Sequence, residues 1–228
     1  MDNDRLSVYL RSIEEDYPDY LEQIEKEALR NRIPIIRRET ASFLCTLIAM
    51  KKPANILEIG TAVGYSAEVM AYASDYLAKI TTIELKPENI KSAKENFAMA
   101  AEAIAKAGGK IPDIKLLCGD ATDILPGLTG TYDFIFMDAA KGQYPAWLSE
   151  VLRLLDAGGI LVTDNVLQEG TVLESRFAVT RRDRTIHARM REYLWRLKHT
   201  AGLKTSILNV GDGVAITLKT EGEIHEET

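Results

Sequence analysis

From Lys52 onward, short apolar runs alternate with longer helical stretches, and no other feature limits the possible folds as much. Asn55–Ile59 is an apolar strand, followed by a turn over Gly60–Gly64 and a helix over residues 65–78. Ile80–Glu84 is the second strand, and Pro87–Lys106 is a long helix with proline in its first turn, where the missing N–H costs nothing. Ile114–Cys118 is the third strand, a short helix opens over Ala121–Leu125, and Tyr132–Met137 is the fourth strand. A helix over 143–155 and a turn at Gly158-Gly159 lead into a fifth strand, 160–163. The stretch 165–181 has no clear periodicity and reads as a functional loop or lid, 183–200 is helical, and 204–218 is a hairpin turning at Gly211-Asp212-Gly213. Strands that alternate with helices build βαβ units and a mostly parallel sheet, which the final hairpin makes mixed.

Before this core, residues 5–31 form a charged amphipathic helical region, interrupted near Pro18 and ended by Pro34. A more apolar helix runs from Glu39 to Met50. The 228 residues therefore read as one α/β domain, 1–228, with an N-terminal helical extension over 1–50 and a core over 51–220. The net charge of −6 argues against nonspecific coating of nucleic acid but permits a local basic patch. Cys45 and Cys118 lie in apolar segments and are expected to be buried free thiols. The opening MDNDRLSVYL lacks a basic region followed by an apolar stretch, and no apolar run approaches the ~20 residues that span a bilayer. A soluble cytoplasmic protein is expected.

The chemistry concentrates at strand ends. Phe134-Ile135-Phe136-Met137 ends in Asp138, and Ile160-Leu161-Val162-Thr163 ends in Asp164-Asn165. As neighbouring parallel strands, these would gather three hard oxygen donors at their carboxyl ends, where open α/β sheets bind ligands. Two carboxylates and a carboxamide suit a cation such as Mg²⁺. Lys141, three residues past Asp138, adds a candidate base. Singly, each has a plainer reading: a cap or ion-pair partner for the aspartate, a turn for Asp164-Asn165, a solvated surface lysine for Lys141.

A second group follows the first three strands. Gly60 lets the backbone turn tightly and approach a ligand closely. The turn is neither GxGxxG nor a P-loop, so a dinucleotide or triphosphate fingerprint is not met. Glu84, at the end of the second strand, stands where doubly wound folds bond ribose hydroxyls. Gly119-Asp120-Ala121 ends the third strand where an adenine could lie, although Asp120 also suits a helix N-cap. Together these residues describe a site for an adenosine ligand without a pyrophosphate.

ILEIGTAVGYSAEVMA, TTIELKPE, LLCGDATDILP, YDFIFMDAAKGQY and LVTDNVLQEG occur in this order. The set resembles the class I S-adenosylmethionine-dependent O-methyltransferases of the catechol and caffeoyl-CoA group, over about residues 34–219. The resemblance implies a Rossmann-like sheet of seven strands, the last antiparallel. It implies that Gly60 and Ser66 contact the methionine part of the cofactor, Glu84 holds the ribose, and Asp120 and Ala121 border the adenine. Ile36 matches a position that closes over the cofactor. Glu58 matches an acid near the cofactor amino group, and could equally orient the Gly60 turn. Asp138, Asp164 and Asn165 match the metal ligands, Asp138 standing beside both metal and cofactor, and Lys141 matches a proposed general base.

IPIIRRE, MDAAKGQY and LVTDNVLQEG look most like bacterial members that methylate 5-hydroxyuridine at the tRNA wobble position. Arg181, Arg182, Arg184, His187, Arg189 and Arg191, with Asp183 among them, put positive charge beside the lid, and Arg37-Arg38 would add to it. A small catechol-like phenol is the alternative acceptor, and a non-catalytic adenosyl-binding module the alternative of another class. A homodimer is suggested by the resemblance alone.

Overall fold

A computed structural model describes residues 3–174, 184–220 and 225–226. Three helices come first: α1 (Asn3–Ser12), α2 (Asp19–Arg30) and α3 (Arg38–Lys51). The alternating core follows as β1 (Asn55–Ile59), α4 (Tyr65–Ala73), β2 (Lys79–Glu84), α5 (Pro87–Lys106), β3 (Asp113–Cys118), α6 (Ala121–Ile124), β4 (Tyr132–Met137), α7 (Tyr144–Leu154) and β5 (Leu155–Thr163). After α8 (Arg184–His199) come β6 (Thr200–Ala201), β7 (Leu203–Leu208), β8 (Val214–Lys219) and β9 (His225–Glu226). Seven strands form one sheet in the order β3-β2-β1-β4-β5-β8-β7. Its first five members run parallel, and β8 is antiparallel to both β5 and β7.

The expected α/β architecture is thus the observed one, and its layering follows from the period of two along each strand. Ile56, Phe134, Phe136 and Val162 point into a core under α2, α3, α4 and α5. Leu57, Ile59, Ile135, Met137 and Leu161 point the other way, into a core under α6, α7 and α8. Both faces are covered, so the central strands read as continuous apolar runs. The order reverses between β1 and β4, and the crevice at their carboxyl ends is the place such sheets reserve for ligands.

Several boundaries differ from expectation. The helix read over 65–78 stops at Ala73, because Asp75 and Tyr76 take left-handed backbone and the Tyr76 N–H bonds the Ala71 carbonyl. The turn at Gly158-Gly159 is an irregularity inside a longer β5. Leu155 already pairs with Tyr132, and the register slips before Ile160 pairs with Phe134. Cys118 is exposed and Cys45 only partly buried. The buried-thiol expectation fails for Cys118 because β3 is the edge of the sheet. Of the proposed lid, Val166 is buried and Gln168–Leu173 form a 3₁₀ turn, while 175–181 lie outside the described residues. Arg181, Arg182 and Asp183 lie outside them too. No helix among the described residues is long and apolar enough to cross a membrane.

Candidate active site

The site is assembled by the ladder running on past the strand ends. Asp138 N–H bonds the Ile59 carbonyl and Asp164 N–H bonds the Met137 carbonyl, each at 3.0 Å. The ends of β1, β4 and β5 therefore lie side by side, as the strand-end reading requires. Gly60 has φ +106°, and a Cβ there would stand 2.1 Å from the Asp138 carbonyl oxygen. Only glycine lets the first turn pass this close to the fourth strand's end.

A cleft of about 770 Å³ opens over these ends. Gly60, Glu84, Asp120, Ala121, Asp138, Lys141 and Asn165 all line it, so the structure brings together most of the residues singled out from the sequence. Glu84 Oε2 accepts the Ala62 N–H at 2.8 Å, and Oε1 accepts those of Leu85 and Lys86 at 3.1 and 2.8 Å. Three backbone donors fix this carboxylate in the cleft wall. Asp120 accepts the Thr122 N–H at 2.8 Å as the N-cap of α6, a bond that lowers its pKa. The cap and the cleft-lining position coexist.

Glu58 and Ser66 are placed differently. Neither lines the cleft. Glu58 is fully buried and accepts hydrogen bonds from the Ser66 and Thr82 hydroxyls, while burial pushes its carboxyl up to about 7. This network ties β1, β2 and the first turn of α4 together, and so orients the glycine turn. Ile36 also misses the cleft. It lines an adjoining pocket of about 150 Å³ with Arg37, Asp138, Asp164, Asn165 and Asp212.

That smaller pocket concentrates acid. Asp164 is almost fully buried, and its carboxyl is pushed up to about 7, first by burial and then by Asp138. Asp138 is raised by burial as well, with the Lys141 charge opposing the shift. The Asn165 amide donates to Asp138 Oδ1 at 2.7 Å, and Asp164 Oδ1 accepts the Asn165 N–H at 2.7 Å. Among the described residues no three Asp, Glu, His or Cys side chains form a metal cluster, so the candidate donors are two carboxylates and one carboxamide. They fit a hard cation: Asn165 bonds both aspartates, and Asp138 raises the cost of ionising the buried Asp164, a cost that a divalent ion would remove.

Asp212 and Trp147 are among the lining residues that escaped sequence reasoning. Asp212 sits at the tip of the β7–β8 hairpin and lines both cavities. It forms an ion pair with Arg37 at 2.6 Å. The antiparallel register places it there: Ala215 pairs with Thr163, so the hairpin tip ahead of Ala215 runs on past the end of β5. Trp147 borders the cleft from α7 and donates its indole N–H to the Thr122 hydroxyl at 3.0 Å.

The basic patch is corrected in part. Arg38 is an interior residue, paired with Glu25 at 2.7 Å and stacked 3.9 Å from the centre of the Tyr17 ring. His187 is buried against the Glu174 carbonyl. Arg189 donates to the Gly142 carbonyl at 2.9 Å. Packing from other elements, which helical periodicity does not encode, turned Arg38 and His187 inward, while Arg189 stays exposed.

Residues 11–220 match the family model described as O-methyltransferase. A catechol O-methyltransferase of Niastella koreensis is 35% identical over 136 residues, 58% of this chain, and the match spans only 58% of that relative's own length. The crystal structure of a candidate caffeoyl-CoA O-methyltransferase from Staphylococcus aureus superposes with a TM-score of 0.82 at 32% identity, covering 93% of this chain and 98% of the other. An SAH-bound Podospora anserina methyltransferase superposes with a TM-score of 0.81 at 27% identity, covering 96% and 95%.

Proposed function

Because the chain belongs to the O-methyltransferase family, we propose that it transfers the methyl group of S-adenosylmethionine to a hydroxyl oxygen held beside a divalent cation. The observation that carries this reading is the meeting of two sites: the cleft bearing Glu84, Asp120 and Ala121 shares Asp138 and Asn165 with the pocket that holds Asp164. Glu84 would take the ribose hydroxyls, and Asp120, Ala121 and Trp147 would border the adenine. Asp138, Asp164 and Asn165 would hold the cation. When bound, Mg²⁺ supplies Lewis acidity that lowers the pKa of a chelating hydroxyl.

The transfer is an in-line displacement. The acceptor oxygen bonds the methyl carbon as the carbon–sulfur bond breaks, the bonding pair leaves on sulfur, and the hydroxyl proton passes to Lys141 or to solvent. Lys141 lines the cleft beside Asp138, so it favours the oxyanion by taking that proton or by its charge. The chain's remaining contribution is alignment of oxygen, carbon and sulfur.

The acceptor we propose is 5-hydroxyuridine at the tRNA wobble position, in a cytoplasmic homodimer. Support comes from the IPIIRRE, MDAAKGQY and LVTDNVLQEG motifs, and from Arg32, Arg37, Lys86 and Lys141 on the cavity walls of an otherwise acidic protein. Mass spectrometry of wobble nucleosides from cells lacking the protein tests it: 5-hydroxyuridine accumulates and its methyl ether disappears. Unchanged methyl ether would overturn the tRNA assignment. A catechol-like phenol is the second reading, favoured by the Niastella koreensis relative. Turnover of free catechol, unaffected by tRNA, would establish that reading instead.

A further inference from the structure

Beneath the acidic pocket stand two fully buried tyrosines that the methyl-transfer reading does not use, Tyr144 on α7 and Tyr193 on α8. The Tyr144 hydroxyl accepts the Ala139 N–H at 3.1 Å and donates to the Ala139 carbonyl at 3.3 Å. The Tyr193 ring meets the Tyr144 ring edge-on, with centroids 5.5 Å apart. Its own hydroxyl shares a 2.6 Å hydrogen bond with the Thr163 hydroxyl. Ala139 directly follows Asp138, and Thr163 directly precedes Asp164. Thr163 is also the register partner of Met137, so the column stands on the last rung of the β4–β5 ladder before the ligand residues.

Burying a hydroxyl costs free energy that its hydrogen bond only offsets, and phenylalanine would fill nearly the same volume without that cost. Both hydroxyls bond atoms adjacent to a ligand aspartate. From below, the Tyr144 hydroxyl holds Ala139; from above, Gly60 crowds the same peptide, since a Cβ on Gly60 would lie 3.2 Å from Ala139 Cβ. α8 grips the far side of this segment as well, with Arg189 donating to the Gly142 carbonyl and Arg196 to the Pro145 carbonyl, both at 2.9 Å. We propose that Tyr144 and Tyr193 are positioning residues that fix the separation of the Asp138 and Asp164 carboxylates for the cation. This rests on the metal reading given above. It assigns α8 a function in setting the geometry of the cation site, beyond covering the sheet.

Titration with Mn²⁺, followed by the loss of free-ion paramagnetic resonance signal, tests the column in Tyr144→Phe, Tyr193→Phe and Thr163→Val. S-adenosylhomocysteine calorimetry and thermal unfolding are run on the same samples. Supporting residues around metal ligands typically change affinity by about 10- to 100-fold. Each variant should therefore bind Mn²⁺ at least ~10-fold more weakly, with S-adenosylhomocysteine affinity kept within about twofold. Wild-type Mn²⁺ affinity in all three would overturn the proposal. So would a matched loss of Mn²⁺ binding, S-adenosylhomocysteine binding and melting temperature, which marks the tyrosines as ordinary core. If the wild-type protein binds no Mn²⁺, the metal reading itself falls and takes the column's role with it, a result separate from failure among the variants.

Discussion

Glu84 and Asp120, at the ends of β2 and β3, and Asp138 and Asp164, at the ends of β4 and β5, line adjoining cavities but are treated differently by the fold. In the first pair each acid is held by backbone donors: Glu84 has three N–H groups and Asp120 has the Thr122 N–H. In the second pair Asp138 raises the cost of ionising Asp164, Asp212 raises that of both, and both stay shifted upward despite the Lys141 charge and the donors that Asn165 supplies. A wall of satisfied carboxylates suits a neutral, hydroxyl-rich ligand that only has to be held. Acids buried beside one another suit a ligand that brings charge. The same rule, ligands at the carboxyl ends of parallel strands, thus yields two different chemistries within one crevice.

The hardest test of that contrast is Asp138→Ala. Methyl transfer to a verified acceptor should fall below detection while the circular dichroism spectrum stays that of the wild type, because Asp138 serves the cation side without supporting the core. The variant should also lose any rise in melting temperature that Mg²⁺ gives the wild type, since a ligand stabilises only what it binds. Full activity would show that the crowded acids are not a cation site. Lys141→Met comes next in size. A positioned acid–base group contributes about 10²- to 10⁴-fold, and kcat should drop within that range with KM for the cofactor unchanged. The pH–rate profile separates the two roles of Lys141: a base must be neutral, so its loss removes a rise of rate with pH, whereas a charge that stabilises the oxyanion must be protonated, so its loss removes a fall of rate at high pH.

On the satisfied side the expected effects are smaller. Glu84→Gln keeps the shape of the side chain but gives up charge-assisted bonds to ribose, worth about 1.5–3 kcal/mol. S-adenosylhomocysteine should bind roughly 10- to 100-fold more weakly by calorimetry, with Mn²⁺ binding unaffected. If Glu84→Gln weakened the cation as much as the cofactor, the two halves would not be separable and the contrast would fail.

How much of this could be read from residues alone follows the same division. Asp138 and Asp164-Asn165 were legible because a strand's end is marked by the apolar run before it, and neighbouring parallel strands bring their ends together. Glu84 and Asp120 were legible for the same reason. Asp212 was not, because its place depends on an antiparallel hairpin folding back across β5. Arg38 and His187 read as surface charges on helices, yet Glu25 and Tyr17 enclose the one and the Glu174 carbonyl takes up the other. The early start of β5 at Leu155 was hidden by the two glycines of its irregular stretch. Pattern along the chain located what the backbone ladder positions, and missed what depends on contacts between distant segments.

Glu68 allows the contrast to be sharpened without touching either half. It lies on α4 beneath the N-terminal helices, fully buried, and neither carboxylate oxygen has a hydrogen-bond partner among the described residues. Burial alone pushes its carboxyl up to about 8. The folded state therefore holds this proton to a higher pH than the unfolded state, whose value is near 4.5. The stability linked to it is complete below about 4.5 and is lost as pH rises toward 8. Glu68→Gln removes the titration, so its unfolding free energy should decline less than that of the wild type between those limits, by up to a few kcal/mol, in denaturant titrations at several pH values. Activity at pH 7 should be unchanged, because the residue faces neither cavity. Mg²⁺ should leave the Glu68 contribution untouched while offsetting that of Asp138 and Asp164. A buried acid with no ligand to meet and a buried pair awaiting a cation would then differ in one measurable respect, the response of their pH-dependent stability to the metal.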